Sequence, residues 1–113
     1  SAFKKPNNYA TESRLTSPAF SLAGKTSATL SFKHAAKFFA NAANEFKVQV
    51  STDGTTWHDV AVSAHPTGAD WNFIDATCNL SAYAGNATVY IGFLYTSTAT
   101  KAGTWEIKDV EVK

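Results

Sequence analysis

The sequence lacks several features that identify particular classes of protein. Cys78 is its single cysteine, so no disulfide can form within the chain, and its place in a strand-like segment predicts a buried, inert thiol. No apolar run approaches the roughly 20 residues that a membrane-spanning helix needs. The chain begins at Ser1-Ala2-Phe3 without a signal peptide or a methionine. We therefore expect an excised domain or mature fragment of a larger protein, not inserted in a membrane.

Charge of one sign is also scarce. The chain has 10 Lys and Arg residues against 9 Asp and Glu residues, for a formal net charge of +1 at pH 7. The basic residues form no stripe that could neutralise successive phosphates, so we expect no nucleic-acid partner. Short groups such as Lys4-Lys5 are typical of a solvated surface.

What the chain does contain is aromatic residues and short alternating segments. Aromatics make up 13% of the sequence, which favours half-buried sheet over helix. Apolar and polar residues alternate with a period of two in several segments, with Ala28, Leu30, Phe32, Phe46, Val48 and Val50 facing inward and Lys33, Lys47, Gln49 and Ser51 facing outward. Residues 88–96 are apolar on both faces, which predicts a central strand.

About eight strands at short spacing predict an all-β fold, a jelly-roll β-sandwich of two antiparallel sheets. We expect a single domain over residues 1–113, with residues 1–13 as an irregular lead-in. Residues 14–18 are predicted to form an edge strand, because Pro18 cannot donate to a ladder.

Three local features are predicted from turn chemistry and from changes of period. Residues 34–44 are predicted to form a long loop with one helical turn. Asp53-Gly54 predicts a hairpin turn of type I′, whose central residues both need positive φ. A change of phase between Ile107 and Val110 predicts a β-bulge near Lys108-Asp109.

A resemblance to a known family extends from Leu15 to the end of the chain. Its motifs stand in the family's order: Leu15-Thr16-Ser17-Pro18-Ala19-Phe20-Ser21-Leu22, Leu30-Ser31-Phe32, Val50-Ser51-Thr52-Asp53-Gly54 with Trp57, Asn79-Leu80-Ser81-Ala82-Tyr83-Ala84-Gly85, Val89-Tyr90-Ile91-Gly92-Phe93 and Gly103-Thr104-Trp105-Glu106-Ile107-Lys108-Asp109-Val110. This ordered set resembles the bacterial choice-of-anchor J and cleaved-adhesin domains, although no single motif is specific.

The resemblance implies a jelly roll similar to galactose-binding-like and MAM domains. It implies an extracellular or cell-surface location, in an exported protein of the kind found in Bacteroidetes, beside neighbouring domains of the parent chain. Related jelly rolls hold a structural Ca²⁺ between their first and last strands. Lys108 places an ammonium group where many relatives carry an acidic residue, and a Glu12–Lys108 pair is an equally good interpretation. We therefore expect no cofactor, with a structural calcium ion as the alternative.

Nothing in the sequence indicates catalysis, and we expect a protein that is not an enzyme. The carboxylates include no pair that stands out for glycoside hydrolysis, and no segment resembles a nucleophile elbow. The histidines, His34, His58 and His65, show no close metal-ligand spacing. His34 shares the parity of Leu30 and Phe32, which predicts a buried or rim position, whereas His58 is expected to face outward.

The resemblance leads us to expect that the domain binds sugars, and the groups that bind sugars are exposed aromatic rings and amides. Trp71 lies in a loop, where we expect it to be exposed. Phe38 and Phe39, with Asn41 and Asn44, form a second predicted rim.

Two other tryptophans are predicted to pack inside or against the fold. Trp105 alternates with Ile107 and is expected in the core, and Trp57 is expected to pack over the hairpin.

We thus predict a non-catalytic extracellular module that binds a glycan or a protein on a surface, carbohydrate-binding or adhesive. The alternative is a structural spacer or accessory domain without a ligand of its own.

Overall fold

The computed structural model describes residues 11–97 and 103–113. Within them the chain forms strands, one helical turn and one 3-10 turn (Ser81–Tyr83): β1 (Thr11–Thr16), β2 (Thr29–Lys37), α1 (Ala42–Glu45), β3 (Phe46–Ser51), β4 (His58–Val60), β5 (Ile74–Asn79), β6 (Tyr90–Ser97) and β7 (Thr104–Val112). The all-β prediction is confirmed.

The strands of the described residues form two antiparallel sheets, which confirms the predicted β-sandwich. The first sheet has four strands in the order β1-β6-β3-β4, and the second has three in the order β5-β2-β7. The described residues form seven strands, against the predicted number of about eight. Residues 19–22 contribute one isolated bridge, between Phe20 and Val89.

Aromatic rings from both sheets meet in the core. Phe46 stacks on Trp105 with ring centroids 5.1 Å apart and on Tyr95 at 5.8 Å, and Phe93 meets Trp105 edge-on at 5.8 Å. Trp105 is fully buried, as its alternation with Ile107 predicts. The Tyr95 hydroxyl donates a hydrogen bond of 2.9 Å to the backbone carbonyl of Gly103, so the one polar atom of that ring is satisfied inside the core.

His34 is also fully buried, in agreement with the prediction from its parity. The indole N–H of Trp105 donates to His34 Nδ1 over 3.0 Å. Because that nitrogen accepts, the ring proton is on Nε2, which donates to the Ala64 carbonyl over 2.8 Å. Burial lowers the pKa of His34, which keeps the ring neutral between these two partners.

Cys78 lies in the same core, on β5. It is buried and unpaired, and burial raises the pKa of its thiol to about 12. Because the thiolate is the reactive form, a thiol with so high a pKa is chemically inert, as predicted.

The predicted positions of the central and edge strands of the first sheet are confirmed. β6 pairs with β1 on one side and with β3 on the other. The predicted lead-in over residues 1–13 is too long, because β1 begins at Thr11, which pairs with Ser97. An edge strand forms its ladder through backbone groups, so polar side chains do not prevent it. Residues 1–10 of that lead-in lie outside the described residues.

The hairpin between β3 and β4 is present, but the type I′ turn is wrong. Gly54 has a φ of 79°, while Asp53 is not among the described non-glycine residues with positive φ. The Asp53 carboxylate instead accepts hydrogen bonds of 2.8 Å from the N–H groups of Thr55 and Thr56, which stabilises a wider loop. These hydrogen bonds lower the pKa of Asp53 to about 2.

Two residues of β3 that alternation places outward are in fact buried. Ser51 is fully buried because its hydroxyl accepts from the Gly54 N–H over 2.8 Å, within the hairpin loop. Gln49 is only 8% exposed, and it contacts Arg14 of β1, which reaches across β6, and Asp59 of the neighbouring strand β4. Alternation shows on which face of the sheet a side chain lies, but it does not show whether other residues cover that face.

The predicted bulge in β7 is confirmed. Ser31 pairs with Glu111 while Lys33 pairs with Lys108, so β7 carries one residue more than β2 between these pairs. Asp109 takes up the extra length in the left-handed conformation, with a φ of 55°.

The loop predicted over residues 34–44 begins later than expected, since β2 continues to Lys37. The single helical turn is confirmed as α1. Its N-cap, Asn41, accepts from the Asn44 N–H over 3.2 Å, and the buried Glu45 carboxylate accepts from the N–H groups of Ala40 and Asn41.

The burial of His34 and His65 predicts that the fold weakens in mild acid. Burial lowers the pKa of both rings, so below their unfolded value of about 6.5 the unfolded chain takes up protons that the folded chain refuses. The free energy of unfolding should therefore change little between pH 7 and pH 8 and fall towards pH 5, with a slope of at most about 1.4 kcal/mol per pH unit for each histidine. Urea denaturation from pH 5 to pH 8 measures this slope.

Two variants test whether His34 is a source of this pH dependence. His34→Gln should reduce the slope, because its amide accepts from the Trp105 indole and donates to Ala64 without titrating. The matched control His58→Gln, at an exposed site on β4, should keep the wild-type slope. Equal stability of the wild type at pH 5 and pH 7 would contradict the prediction.

Candidate functional site

The predicted site residues gather at one end of the sandwich. The pairing of Lys37 with Thr104 places the end of β2 beside the start of β7, and the pairing of His34 with Ile74 places the start of β5 on its other side. The loop that precedes β5 therefore runs past the residues that follow β2.

Phe38 and Trp71 form an exposed aromatic pair at this end. The ring centroids are 6.1 Å apart and the rings are inclined by 66°, an edge-to-face contact. Phe38 is 57% exposed and Trp71 is 41% exposed, so the predicted exposure of both rings is confirmed. The sequence analysis assigned them to two separate rims, whereas the structure brings them into one surface, here called the Phe38–Trp71 pair.

Phe38 has an unfavourable backbone conformation. Its φ of 64° lies in the left-handed region, which for a residue with a bulky side chain costs roughly 1–2 kcal/mol. Glycine or asparagine is the usual occupant of such a position. A large apolar side chain therefore stands exposed at a position where folding alone favours a small one.

Phe39 points in the opposite direction, so its predicted exposure is wrong. It is half-buried and meets Phe46 edge-on at 5.2 Å, on the rim of the core. A Cβ atom at Gly68 would lie 3.1 Å from the Phe39 ring, and one at Gly103 would lie 3.1 Å from the Phe39 Cβ. Because position 68 is glycine, the loop that carries Trp71 approaches closely and packs on Phe39, and glycine at position 103 lets the segment before β7 approach Phe39 from its own side.

Asn41 and Asn44 are both exposed, and their described contacts lie within α1. Asn41 caps the turn by accepting from the Asn44 N–H, as described above. Of the contacts found in the described residues, none joins either amide to the Phe38–Trp71 pair. Their assignment as ligand-binding residues stays a prediction.

Lys37 is a residue of this surface that the sequence analysis did not single out. Its ammonium group lies 5.5 Å from the centre of the Phe38 ring. The signal was present in the sequence Lys37-Phe38-Phe39, but assigning that segment to a loop hid the fact that β2 fixes Lys37. The loop around Trp71 adds polar groups, since the Asp70 carboxylate accepts from the Asn72 N–H over 2.9 Å and both residues are exposed.

A second region of interest is a cavity of about 390 Å³ beside β4, lined by Ala43, Phe46, Lys47, Val48, Asp59, Val60, Ala61, Val62 and His65. Lys47 and Asp59 form an ion pair of 3.4 Å. His65 Nδ1 is buried and has no hydrogen-bond partner among the described residues, and burial lowers the pKa of that ring. The lining is otherwise apolar.

The Lys108 side chain lies against an aromatic ring. Its ammonium group lies 4.2 Å from the centre of the Phe73 ring. The predicted pairing with Glu12 concerns a side chain that lies outside the described ones. Over residues 11–97 and 103–113, no group of three or more His, Cys, Asp or Glu side chains is placed to hold a metal ion.

No protein-family model matches the chain, and a search of curated proteins finds no match either. Among the described residues, no helix has the length and apolar character needed to cross a membrane. The interpretation of the site therefore depends on its geometry.

The opposite orientations of Phe38 and Phe39 predict opposite effects of substitution on stability. Phe38→Asn relieves the left-handed strain and removes only an exposed ring contact, so the free energy of unfolding should stay constant or rise by up to about 1 kcal/mol. Phe39→Ala removes a ring from the rim of the core and should lower it by about 2 kcal/mol or more.

Urea denaturation of the two variants measures both effects, and each variant is the control for the other. A loss of stability in Phe38→Asn as large as that in Phe39→Ala would show that Phe38 is held by packing and would contradict this assignment.

Proposed function

We propose that the protein is a non-catalytic extracellular binding module, part of a larger exported protein, and that the Phe38–Trp71 pair binds carbohydrate. The observation that carries the proposal is the exposure of two large aromatic rings in contact with each other, one of them on a strained backbone. Strain at an exposed residue is retained where the side chain has a role other than folding.

The chemistry of the surface fits a sugar ligand. Sugar rings present C–H groups on one face, which pack on aromatic rings, and hydroxyl groups at their edges, which need polar partners. The Phe38–Trp71 pair supplies the rings, while Lys37, Asp70 and Asn72 supply a donor and acceptors in or beside it. The loop that carries Trp71 packs on Phe39 at Gly68, and the two rings of the pair are already in contact, so little ordering is needed when a ligand binds.

The resemblance to the choice-of-anchor J and cleaved-adhesin domains supports the same proposal. Those domains are jelly rolls of exported bacterial proteins and are thought to bind glycans or proteins. The β-sandwich of this chain has the same general architecture.

A glycan-array screen of the domain tests the proposal. The wild type should bind a defined set of neutral glycans, and Trp71→Ala should reduce that signal about tenfold or more, because truncation of an aromatic anchor at a binding surface typically costs about 2 kcal/mol or more. Phe38→Asn should weaken binding of the same glycans and should leave the domain folded.

The matched control is Val110→Ala, which removes an apolar side chain of comparable exposure, 50%, from β7. It should leave the glycan signal unchanged. A blank array with the wild type, or equal loss in Trp71→Ala and Val110→Ala, would favour the alternative of a structural spacer without a ligand.

A further inference from the structure

A polar network crosses the outer face of the four-stranded sheet. Arg14 on β1 donates to Gln49 Oε1 on β3 through Nε at 3.1 Å and through Nη2 at 2.8 Å. Gln49 Nε2 donates in turn to Asp59 Oδ1 on β4 at 2.7 Å. Asp59 Oδ2 pairs with Lys47 at 3.4 Å. The contacts run from one edge strand of the sheet to the other.

The network passes over Gly92, the residue of β6 that pairs with both Thr16 and Gln49. A Cβ atom at Gly92 would lie 2.8 Å from Arg14 Cδ and 2.9 Å from Trp57 Cζ3, so any other residue here would displace them. Trp57 reaches this place because the loop between β3 and β4 folds back over the sheet. Its ring centre is 4.6 Å from the guanidinium carbon of Arg14.

The guanidinium of Arg14 is thus fixed in orientation but not neutralised. Its two described hydrogen bonds go to a neutral amide, and no carboxylate among the described residues forms an ion pair with it. Both N–H groups of Nη1 and one of Nη2 have no described acceptor. These groups form the end-on fork that binds a carboxylate with two parallel hydrogen bonds.

Asp59 and Gln49 define what else the ligand must offer. The Asp59 side chain is 58% exposed, and its hydrogen bonds from Gln49 and Lys47 lower its pKa, so it is an ionised acceptor near the fork. The amide orientation of Gln49 follows from Asp59, because Nε2 faces the carboxylate and Oε1 therefore faces Arg14. A ligand that fits this face needs a carboxylate for Arg14 and a hydroxyl donor for Asp59.

We propose that Arg14, with Asp59 and the Trp57 ring, forms a second binding site that takes the carboxylate of an acidic sugar, a uronate. A uronate carries its carboxylate and its hydroxyl groups on one ring. The Asp and Glu side chains of an acidic peptide carry no hydroxyl donor for Asp59. The proposal deepens the proposed carbohydrate binding and rests on it only for the ligand class, since the two sites share no residue.

Titration calorimetry with trigalacturonate and with its methyl ester tests the proposal. The wild type should bind the free acid at least about tenfold more tightly than the ester, which lacks the charge that the fork recognises. Arg14→Gln should abolish this preference. Arg14→Lys should also lose most of it, because an ammonium group retains the charge but neither the fork nor the stacking on Trp57.

The matched control is Lys33→Gln, which removes a cation from the other sheet, where Lys33 pairs with Asp75 at 2.6 Å. It should keep the wild-type preference. In NMR spectra the Trp57 indole N–H signal should shift on addition of trigalacturonate, and thermal unfolding should show that each variant is folded.

Several outcomes would overturn the proposal. The first two are absence of trigalacturonate binding and equal binding of the acid and the ester. The third is an equal loss of the preference for the acid in Arg14→Gln and Lys33→Gln. The fourth is Arg14-dependent binding of an acetylated Asp-Glu tetrapeptide that is tighter than binding of trigalacturonate. Trp71→Ala should leave the preference for the acid unchanged. Failure of the neutral-glycan screen with retention of this preference would contradict the Phe38–Trp71 site alone.

Discussion

The contact between Phe46 and the rings around it holds the two sheets together and also fixes the exposed surface. On one side Phe46 stacks on Trp105 of the three-stranded sheet and on Tyr95 of its own sheet. On the other side it receives Phe39 edge-on. Because Phe39 packs against the loop at Gly68, the ring that closes the core also holds the segment that carries Trp71. Core packing and the position of the surface aromatics are therefore one arrangement.

Phe38 and Phe39 show how such an arrangement divides adjacent residues between folding and binding. Side chains of successive residues at the end of a strand point to opposite sides, so one phenylalanine enters the core and its neighbour faces solvent. The left-handed φ of Phe38 ends the ladder of β2 and directs the exposed ring towards Trp71. Folding benefits from Phe39, whereas it gains little from an exposed and strained Phe38. The residue that folding does not require is the one on which the binding proposal depends.

The sequence predicted those parts of the fold that depend on burial with a period of two. The inward faces of β2 and β3 and the buried Trp105 follow from alternation, because a sheet with one covered face requires it. The central strand β6 was predicted from apolar residues on both of its faces. The bulge at Asp109 followed from the same rule, since an extra residue reverses the parity. Strand bounds were less accurate where polar residues form a ladder, as at Thr11, because backbone pairing leaves no mark on side-chain pattern.

The candidate sites were predicted only in part, for a different physical reason. Exposure of Trp71 and Phe38 could be inferred residue by residue, but their contact depends on the path of a distant loop, which Gly68 lets approach Phe39. The network at Arg14 was missed because alternation assigns Gln49 to the outer face and contains no information on the loop that folds Trp57 back over it. Contacts of this kind are set by loop paths, which hydrophobic periodicity does not encode.

The neutral side chain at position 49 is the feature that leaves the network around Arg14 able to bind a ligand as well as to stabilise the fold. A carboxylate there would hold Arg14 equally well and would add the attraction of an opposite charge, since the guanidinium fork matches a carboxylate. It would also neutralise the guanidinium, which would then bind an anion from solution less tightly. Gln49 fixes the direction of Arg14 through two hydrogen bonds, and Asp59 fixes Gln49, one residue removed from the cation. The negative charge of the network thus orients the arginine without neutralising it, which leaves the charge and the fork of Arg14 directed at the solvent.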